Sequence, residues 1–267
     1  MGNIWKWFVL VLFLAGCGGN PDYAPVPTPE PSPPYTGETC MSAQAMLLGS
    51  GTPLIAVDAA DFDGTNDYML RGGDLTGISD GKSGIFSAWV RLDGGDGAGQ
   101  FLIKANAAAL GPFYIYRGST NKFYIIGGNT TPATILSFGT VSTYVASATW
   151  LNILASWDLN SGATNLYIND VSDNLPTVTT NDTIDYATAT PGWSVGTQNF
   201  GGGGKLNGCL AEVYFAPNQY LDFSDINNRR KFISAAGKPV HLGVDGSLPT
   251  GTAPAIYQHL DDGEAVA

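Results

Sequence analysis

The sequence predicts an all-β protein, an antiparallel two-sheet sandwich with one short helix near its C-terminal end. Three observations predict it. In the stretch 150–171, "WLNILASWDLNSGATNLYINDV", Leu151, Ile153, Ala155 and Trp157 alternate with Asn152, Leu154, Ser156 and Asp158. That is the two-residue period of a strand. Asn160-Ser161-Gly162 supplies turn residues that tolerate positive φ, and "ATNLYIND" alternates again, which completes a β-hairpin. The second observation is that further short strands with Gly-rich turns flank this hairpin on both sides. The third is composition: 35 glycines, 11% aromatic and only 13% charged residues over 267 positions suit many short strands and disfavour helix bundles.

That length accommodates one large all-β domain with appendages. The net charge of −11 repels nucleic acid phosphates, and Arg229-Arg230-Lys231 is the one basic cluster that opposes it. A nucleic acid partner is therefore not expected.

Residues 1–16 have the pattern of a signal peptide. Lys6 gives a positive start, Phe8 to Ala15 is an apolar run too short to span a bilayer, and Leu14-Ala15-Gly16-Cys17 follows. Small residues before a cysteine resemble the lipobox of bacterial lipoproteins. The resemblance implies cleavage before Cys17 and acylation of that residue, and several acyl chains anchor a protein far more firmly than one. Gly18, where Asp would signal inner-membrane retention, favours the outer membrane if the host is Gram-negative. The alternative is an ordinary secretory signal that happens to contain a cysteine. Residues 17–40 are the anchor and a tether, "PDYAPVPTPEPSPPYTGET", whose prolines favour extended polyproline II.

Residues 41–217 contain the sandwich. "DFDGTNDYMLRG" (61–72) reads as strand, turn and strand around Gly64-Thr65-Asn66-Asp67. In "SGIFSAWVRLDG" (83–94), Ile85, Ser87, Trp89 and Arg91 share one face, while Phe86, Ala88, Val90 and Leu92 form a wholly apolar face directed at the core. After the "GGDGAG" loop come "QFLIKAN" and a hairpin of "PFYIYRG" and "KFYIIGG" around Gly118-Ser119-Thr120-Asn121. A strand near Thr134 to Phe138 then leads into the central hairpin. "GWSVGTQ" and "KLNGCLAEVYFAP" supply the last core strands. Residues 218–267 form an extension, with a helix expected at about 224–235, Ser224 as its N-cap and Gly237-Lys238-Pro239 as its stop. The tail "DDGEAVA" closes nothing, and a further C-terminal segment is expected.

Four pieces in this order, "DFDGTNDY", "FSAWVRL", "LASWDLNSGATNLYINDV" and "WSVGTQNFGGGGKLNGCLAEVYFA", resemble the concanavalin A-like lectin/glucanase superfamily and its laminin-G-like branch. The resemblance spans roughly 54–217 and implies a two-sheet jelly roll. The segment 220–260 further resembles extensions found in phage and prophage proteins. Glucanases of the superfamily use two glutamates flanking an aspartate on one strand. This chain has Glu30, Glu38, Glu212 and Glu264, and within the sandwich Glu212 has no acidic partner at i+2 or i+4. A retaining glycosidase needs two carboxyl groups about 5–5.5 Å apart, so no catalytic pair is assigned. A pair of aspartates meeting across strands stays open as an alternative.

Members of the laminin-G-like branch often hold Ca²⁺ at a rim, which implies Asp61, Asp63 and Asp67 as candidate ligands, with Asp93 and Asp96 in a second loop. The competing reading makes them solvated turn residues. Sandwich lectins stack sugars on aromatic rings, and Tyr114, Tyr116, Tyr124 and Trp193 are the candidates here. His241 and His259 carry no motif and are expected at the surface. "GGGGK" (201–205) lacks the Ser or Thr of a phosphate loop and is expected to be a plain connection. Cys40 and Cys209 either pair, in an exported protein, or Cys209 is a small buried hydrophobe. The expected function is a non-catalytic, lipid-anchored module that binds a glycan or another envelope or virion component. A phage structural or adhesion protein is the alternative.

Overall fold

The computed structural model describes residues 59–75, 77–106, 112–187, 192–198 and 202–259. Its first seven strands are β1 (Ala60–Asp63), β2 (Met69–Arg71), β3 (Ser83–Leu92), β4 (Gln100–Asn106), β5 (Phe113–Arg117), β6 (Phe123–Gly128) and β7 (Thr134–Gly139). They are followed by β8 (Ser147–Asp158), β9 (Ala163–Ile168), β10 (Val171–Ser172), β11 (Leu175–Thr179), β12 (Gly192–Val195), β13 (Asn207–Pro217), α1 (Ile226–Arg229) and β14 (Ile256–Gln258). The first sheet runs β1-β13-β3-β8-β9-β10, with β14 also on β13, and the second runs β11-β7-β6-β5-β4-β12-β2. All of these strand pairings are antiparallel, and the β5–β6 and β8–β9 pairs are hairpins closed by short turns.

The alternation in the sequence explains the layers. Phe86, Ala88, Val90 and Leu92 of β3 and Ile153, Ala155 and Trp157 of β8 face the second sheet, where Phe113, Ile115, Phe123, Ile125 and Phe138 meet them. Burying each such side chain stabilises the fold by about 1.5–3 kcal/mol. Trp157 is the hub. It lies 5.4 Å from Phe113 and 6.5 Å from Phe215, and its Nε1–H donates to the Tyr186 hydroxyl at 2.7 Å. Tyr186 in turn donates to the Ser83 carbonyl at 3.0 Å. The opposing β3 position is Gly84, where a Cβ would lie 2.2 Å from the Trp157 ring. Glycine is required there for close approach rather than for a turn.

The outer face of the first sheet is buried too. Ile85, Leu154, Tyr214 and Ala216 pack against Phe223, Phe232 and Leu242 of the extension, and Trp89 and Ala211 pack against Ile233. The extension is thus a third layer and not a tail. The expected helix over 224–235 is a single turn, Ile226–Arg229, capped by Asp225 rather than Ser224: the Asp225 side chain accepts from the Asn227 N–H. The chain has to deliver Phe223, Phe232 and Ile233 to one sheet face, and a longer helix would carry its apolar positions away from it.

A charge clamp fastens this layer. Asp170 sits at positive φ in the β9–β10 turn and receives Arg229 at 2.6 Å and Arg230 at 2.7 Å. The Arg229 guanidinium also lies 4.4 Å above the Tyr167 ring. Burial pushes the Asp170 carboxyl up, but the hydrogen bonds and charge of Arg230 and Arg229 outweigh it and hold the group below the usual carboxylate range. A group whose folded pKa is depressed stabilises fully above the unfolded value, about 3.9, and loses that contribution as pH falls towards the folded value. Asp170→Asn is therefore expected to lower stability by about 1–3 kcal/mol at pH 7. The gap to the parent should narrow on acidification below about pH 4. Urea unfolding across this range checks it, and equal stability at pH 7 would contradict the clamp.

Candidate functional site

The second sheet directs Phe113, Ile115, Phe123 and Ile125 inward, so the intervening residues of β5 and β6 project from its other face. Those residues are Tyr114, Tyr116 and Tyr124. Register aligns Phe101 of β4, Tyr116 of β5, Tyr124 of β6, Gly139 of β7 and Leu175 of β11 in one row across five strands. A second row contains Ser194 of β12, Lys104 of β4, Tyr114 of β5, Ile126 of β6 and Ser137 of β7.

Phe101 and Tyr116 stack at 5.3 Å, and Tyr116 and Tyr124 stack at 5.4 Å, close to the spacing of neighbouring strands. Tyr114 meets Tyr116 edge-on at 5.4 Å. Glycine makes room for the ridge. A Cβ at Gly139 would lie 2.7 Å from the Tyr124 ring, and one at Gly118 would lie 2.9 Å from it. Tyr116 and Tyr124 stay partly exposed, while Tyr114 retains 7% of its surface. The Tyr124 hydroxyl is paired with Thr120 at 3.0 Å. Burial pushes the Tyr114 hydroxyl up to about 12, with the Tyr116 hydroxyl beside it adding to the shift, and it raises Tyr116 as well. Both phenols are therefore neutral donors at physiological pH. Lys104, buried in the adjacent row, is pushed down to about 8 by the same desolvation. What this face presents to solvent is therefore the rings and hydroxyls of Tyr116 and Tyr124, while Phe101, Lys104 and Ser194 are buried.

Trp193 does not belong to this face. It is fully buried, 5.4 Å from Phe215 and 6.2 Å from Phe113, and serves the core. The alternation places it on the same side of its strand as Val195, a parity that its short strand left ambiguous.

The acidic residues predicted as metal ligands are separated. The Asp63 carboxylate accepts the Thr65 and Asn66 N–H groups at 2.6 and 3.1 Å, and Asp67 accepts the Asp63 N–H at 3.2 Å. Both are engaged by their own turn. Asp61 instead lies beside Asp93 and Cys209, one ligand atom of each falling within 4.8 Å of the others. Burial and the Asp93 charge push the Asp61 carboxyl up. Cys209 is disulfide-bonded and so presents no thiolate to a metal, and Asp93 receives two Arg91 donors at 2.8 Å. Cys17 and Cys40 lie outside the described residues. Asp96 holds buried Arg117 at 2.9 Å, which ties two loops together.

His241 is exposed, as expected, whereas His259 departs from expectation and is largely buried. His259 Nδ1 contacts Glu212 Oε1, the Tyr257 hydroxyl donates to Glu212 Oε2 at 3.2 Å, and His241 lies edge-on to His259 at 5.9 Å. Glu212 has φ of +50° where β13 bulges, at the point where pairing with β1 gives way to pairing with β14. The contact joins positions 47 residues apart, which local spacing in the sequence does not reveal. The described part of the "GGGGK" segment, 202–205, is a connection, as expected: the Gly204 carbonyl accepts the Phe101 N–H at 2.9 Å and Lys205 reaches the Thr65 carbonyl at 2.6 Å.

Comparison with known proteins agrees with this architecture. A laminin G family model of the "Concanavalin A-like lectin/glucanases superfamily" matches residues 63–218. Among solved structures, the "putative carbohydrate binding protein" of Bacteroides ovatus superposes with a TM-score of 0.56 at 16% identity over 78% of this chain. The chain spans 53%, about half, of that protein's length. A pentraxin of Limulus polyphemus gives a TM-score of 0.44 at 11% identity, covering 62% of this chain and 78% of its own. A NanB sialidase variant of Streptococcus pneumoniae gives 0.44 at 12% identity, covering 64% and 28%. No curated protein matches the sequence. At these identities the structural likeness speaks to the fold, and with the sequence match over 63–218 it establishes that the chain belongs to the concanavalin A-like lectin/glucanase superfamily.

Proposed function

We propose that the sandwich is a non-catalytic carbohydrate-binding module, exported and anchored to the cell envelope through lipid on Cys17. The observation that carries the binding role is the aromatic ridge in which partly exposed Tyr116 and Tyr124 are backed by buried Phe101 and Tyr114. It stands on the sheet face turned away from the core, where a solvated sheet ordinarily carries polar side chains. Sugar rings present apolar C–H faces and peripheral hydroxyls, and ring surfaces fringed with phenol groups meet both. The carbohydrate-binding description of the Bacteroides ovatus protein is in keeping with this role.

The absence of catalysis is supported by the state of Glu212. Both of its carboxylate oxygens are engaged, by His259 and by Tyr257, and the group is buried beneath β14 rather than facing a ligand surface. The lipid anchor is supported by Leu14-Ala15-Gly16-Cys17 and the Pro-rich tether after it, which would hold the sandwich clear of the membrane.

Binding of the purified protein to a panel of glycans and envelope polysaccharides tests the first claim. Saturable binding to one sugar class is expected, weakened about tenfold or more by Tyr116→Ala and by Tyr124→Ala. It should be the same in Ca²⁺ and in EDTA, because Asp63 and Asp67 lie off the ridge and are held by their own turn. Binding unaffected by both substitutions would contradict the site. For the anchor, metabolic labelling with palmitate is expected to mark the wild-type chain and to disappear in Cys17→Ala; label retained in the variant would contradict it.

A further inference from the structure

A cavity of about 470 Å³ opens on the opposite side of the molecule, where the segment leaving β13 meets the C-terminal layer. Its wall includes Gln219, Tyr220, Lys231, Leu248, Thr250 and Thr252. The volume falls in the range of about 300–1,000 Å³ usual for small-molecule sites. The polar groups of the wall are held in place. Thr250 Oγ1 is hydrogen-bonded to Gln219 Oε1, the Gln219 amide donates to the Ala253 carbonyl at 3.3 Å, and Lys231 Nζ donates to the Pro249 carbonyl at 2.9 Å.

Three features define what would fit. Lys231 is the one charged side chain of the wall; it donates to a neutral carbonyl, and among the described residues it makes no ion pair. An ammonium has three donors, so two remain for a ligand. The other polar wall groups are an amide, two aliphatic hydroxyls and a phenol, and the wall carries no carboxylate, which disfavours cationic and zwitterionic ligands. Leu248, 66% exposed, forms an apolar lip.

We infer that this cavity is a second binding site, separate from the aromatic ridge, for a one- or two-ring saccharide bearing a carboxylate. Lys231 takes the carboxylate, Gln219, Thr250 and Thr252 take ring hydroxyls, and Tyr220 with Leu248 meets the apolar face of the sugar. The inference does not depend on the ridge being a sugar site.

Ligand-observed NMR and calorimetry on the full protein test it, with methyl glucuronide and methyl glucoside as probes. The glucuronide should bind saturably and about tenfold more tightly than the glucoside, the worth of one charge-assisted contact. Lys231→Met should abolish that preference, and Thr250→Val should weaken both probes. Tyr116→Ala should leave both unchanged, which separates this site from the ridge. No saturable binding of either probe would overturn the inference. So would equal affinities insensitive to Lys231→Met, or binding lost in Tyr116→Ala but kept in Lys231→Met. Thermal unfolding of the variants confirms that each is folded.

Discussion

The first sheet cannot leave its outer face in water, and much of the remaining structure follows from that constraint. β3 and β13 are apolar on both faces: Phe86 and Val90 point to the second sheet while Ile85 and Trp89 point the other way, and Phe215 and Tyr214 divide in the same manner. A two-layer sandwich buries one face of each sheet. The C-terminal layer buries the other face of this one, and the Asp170 clamp with Arg229 and Arg230 closes it down. The outward rows of the second sheet mix Phe101, Ile126, Leu175 and tyrosines with Ser137, Ser194, Lys104 and Gly139; Phe101, Tyr114, Lys104 and Ser194 are buried, and Tyr116 and Tyr124 remain partly exposed. Covering the first sheet leaves Tyr116 and Tyr124 of the second as the partly exposed rings on which the proposed binding role rests.

Much of this arrangement was legible in the sequence. The hairpin of β8 and β9 pairs Ile153 with Ile168 and Asp158 with Ala163, around Gly162 at positive φ, as the alternation and the Asn-Ser-Gly turn imply. The apolar face of β3 was legible because period-2 patterning is local. What the outer face of β3 meets was not, since Phe232 and Ile233 lie far along the chain and reach it through irregular backbone that carries no periodic signal. The long helix expected at 224–235 failed for the same reason. Capping residues mark where a helix can begin, while tertiary packing decided how far it ran.

The candidate site was legible in part. Tyr114, Tyr116 and Tyr124 gather on one face because the strand period fixes their parity relative to Phe113 and Ile125. Phe101 joins them only through cross-strand register, and the core position of Trp193 was not legible because its four-residue strand has too few positions to show which parity faces inward. The acidic residues show the limit of proximity in sequence. Asp61 and Asp63 are two residues apart, yet Asp61 lies with Asp93 and Cys209 while Asp63 closes its own turn. Glu212 and His259 show the converse, a contact made by strand pairing between distant residues.

The most direct test of the account is a map of backbone amide shifts during titration with a saccharide taken from the glycan panel. Shifts centred on Phe101, Tyr114, Tyr116, Tyr124 and Gly139 are the predicted result, because the covered first sheet leaves that face to the ligand. Shifts confined to the acidic turns around Asp61 to Asp67 and Asp93 to Asp96, with the aromatic row silent, would contradict it.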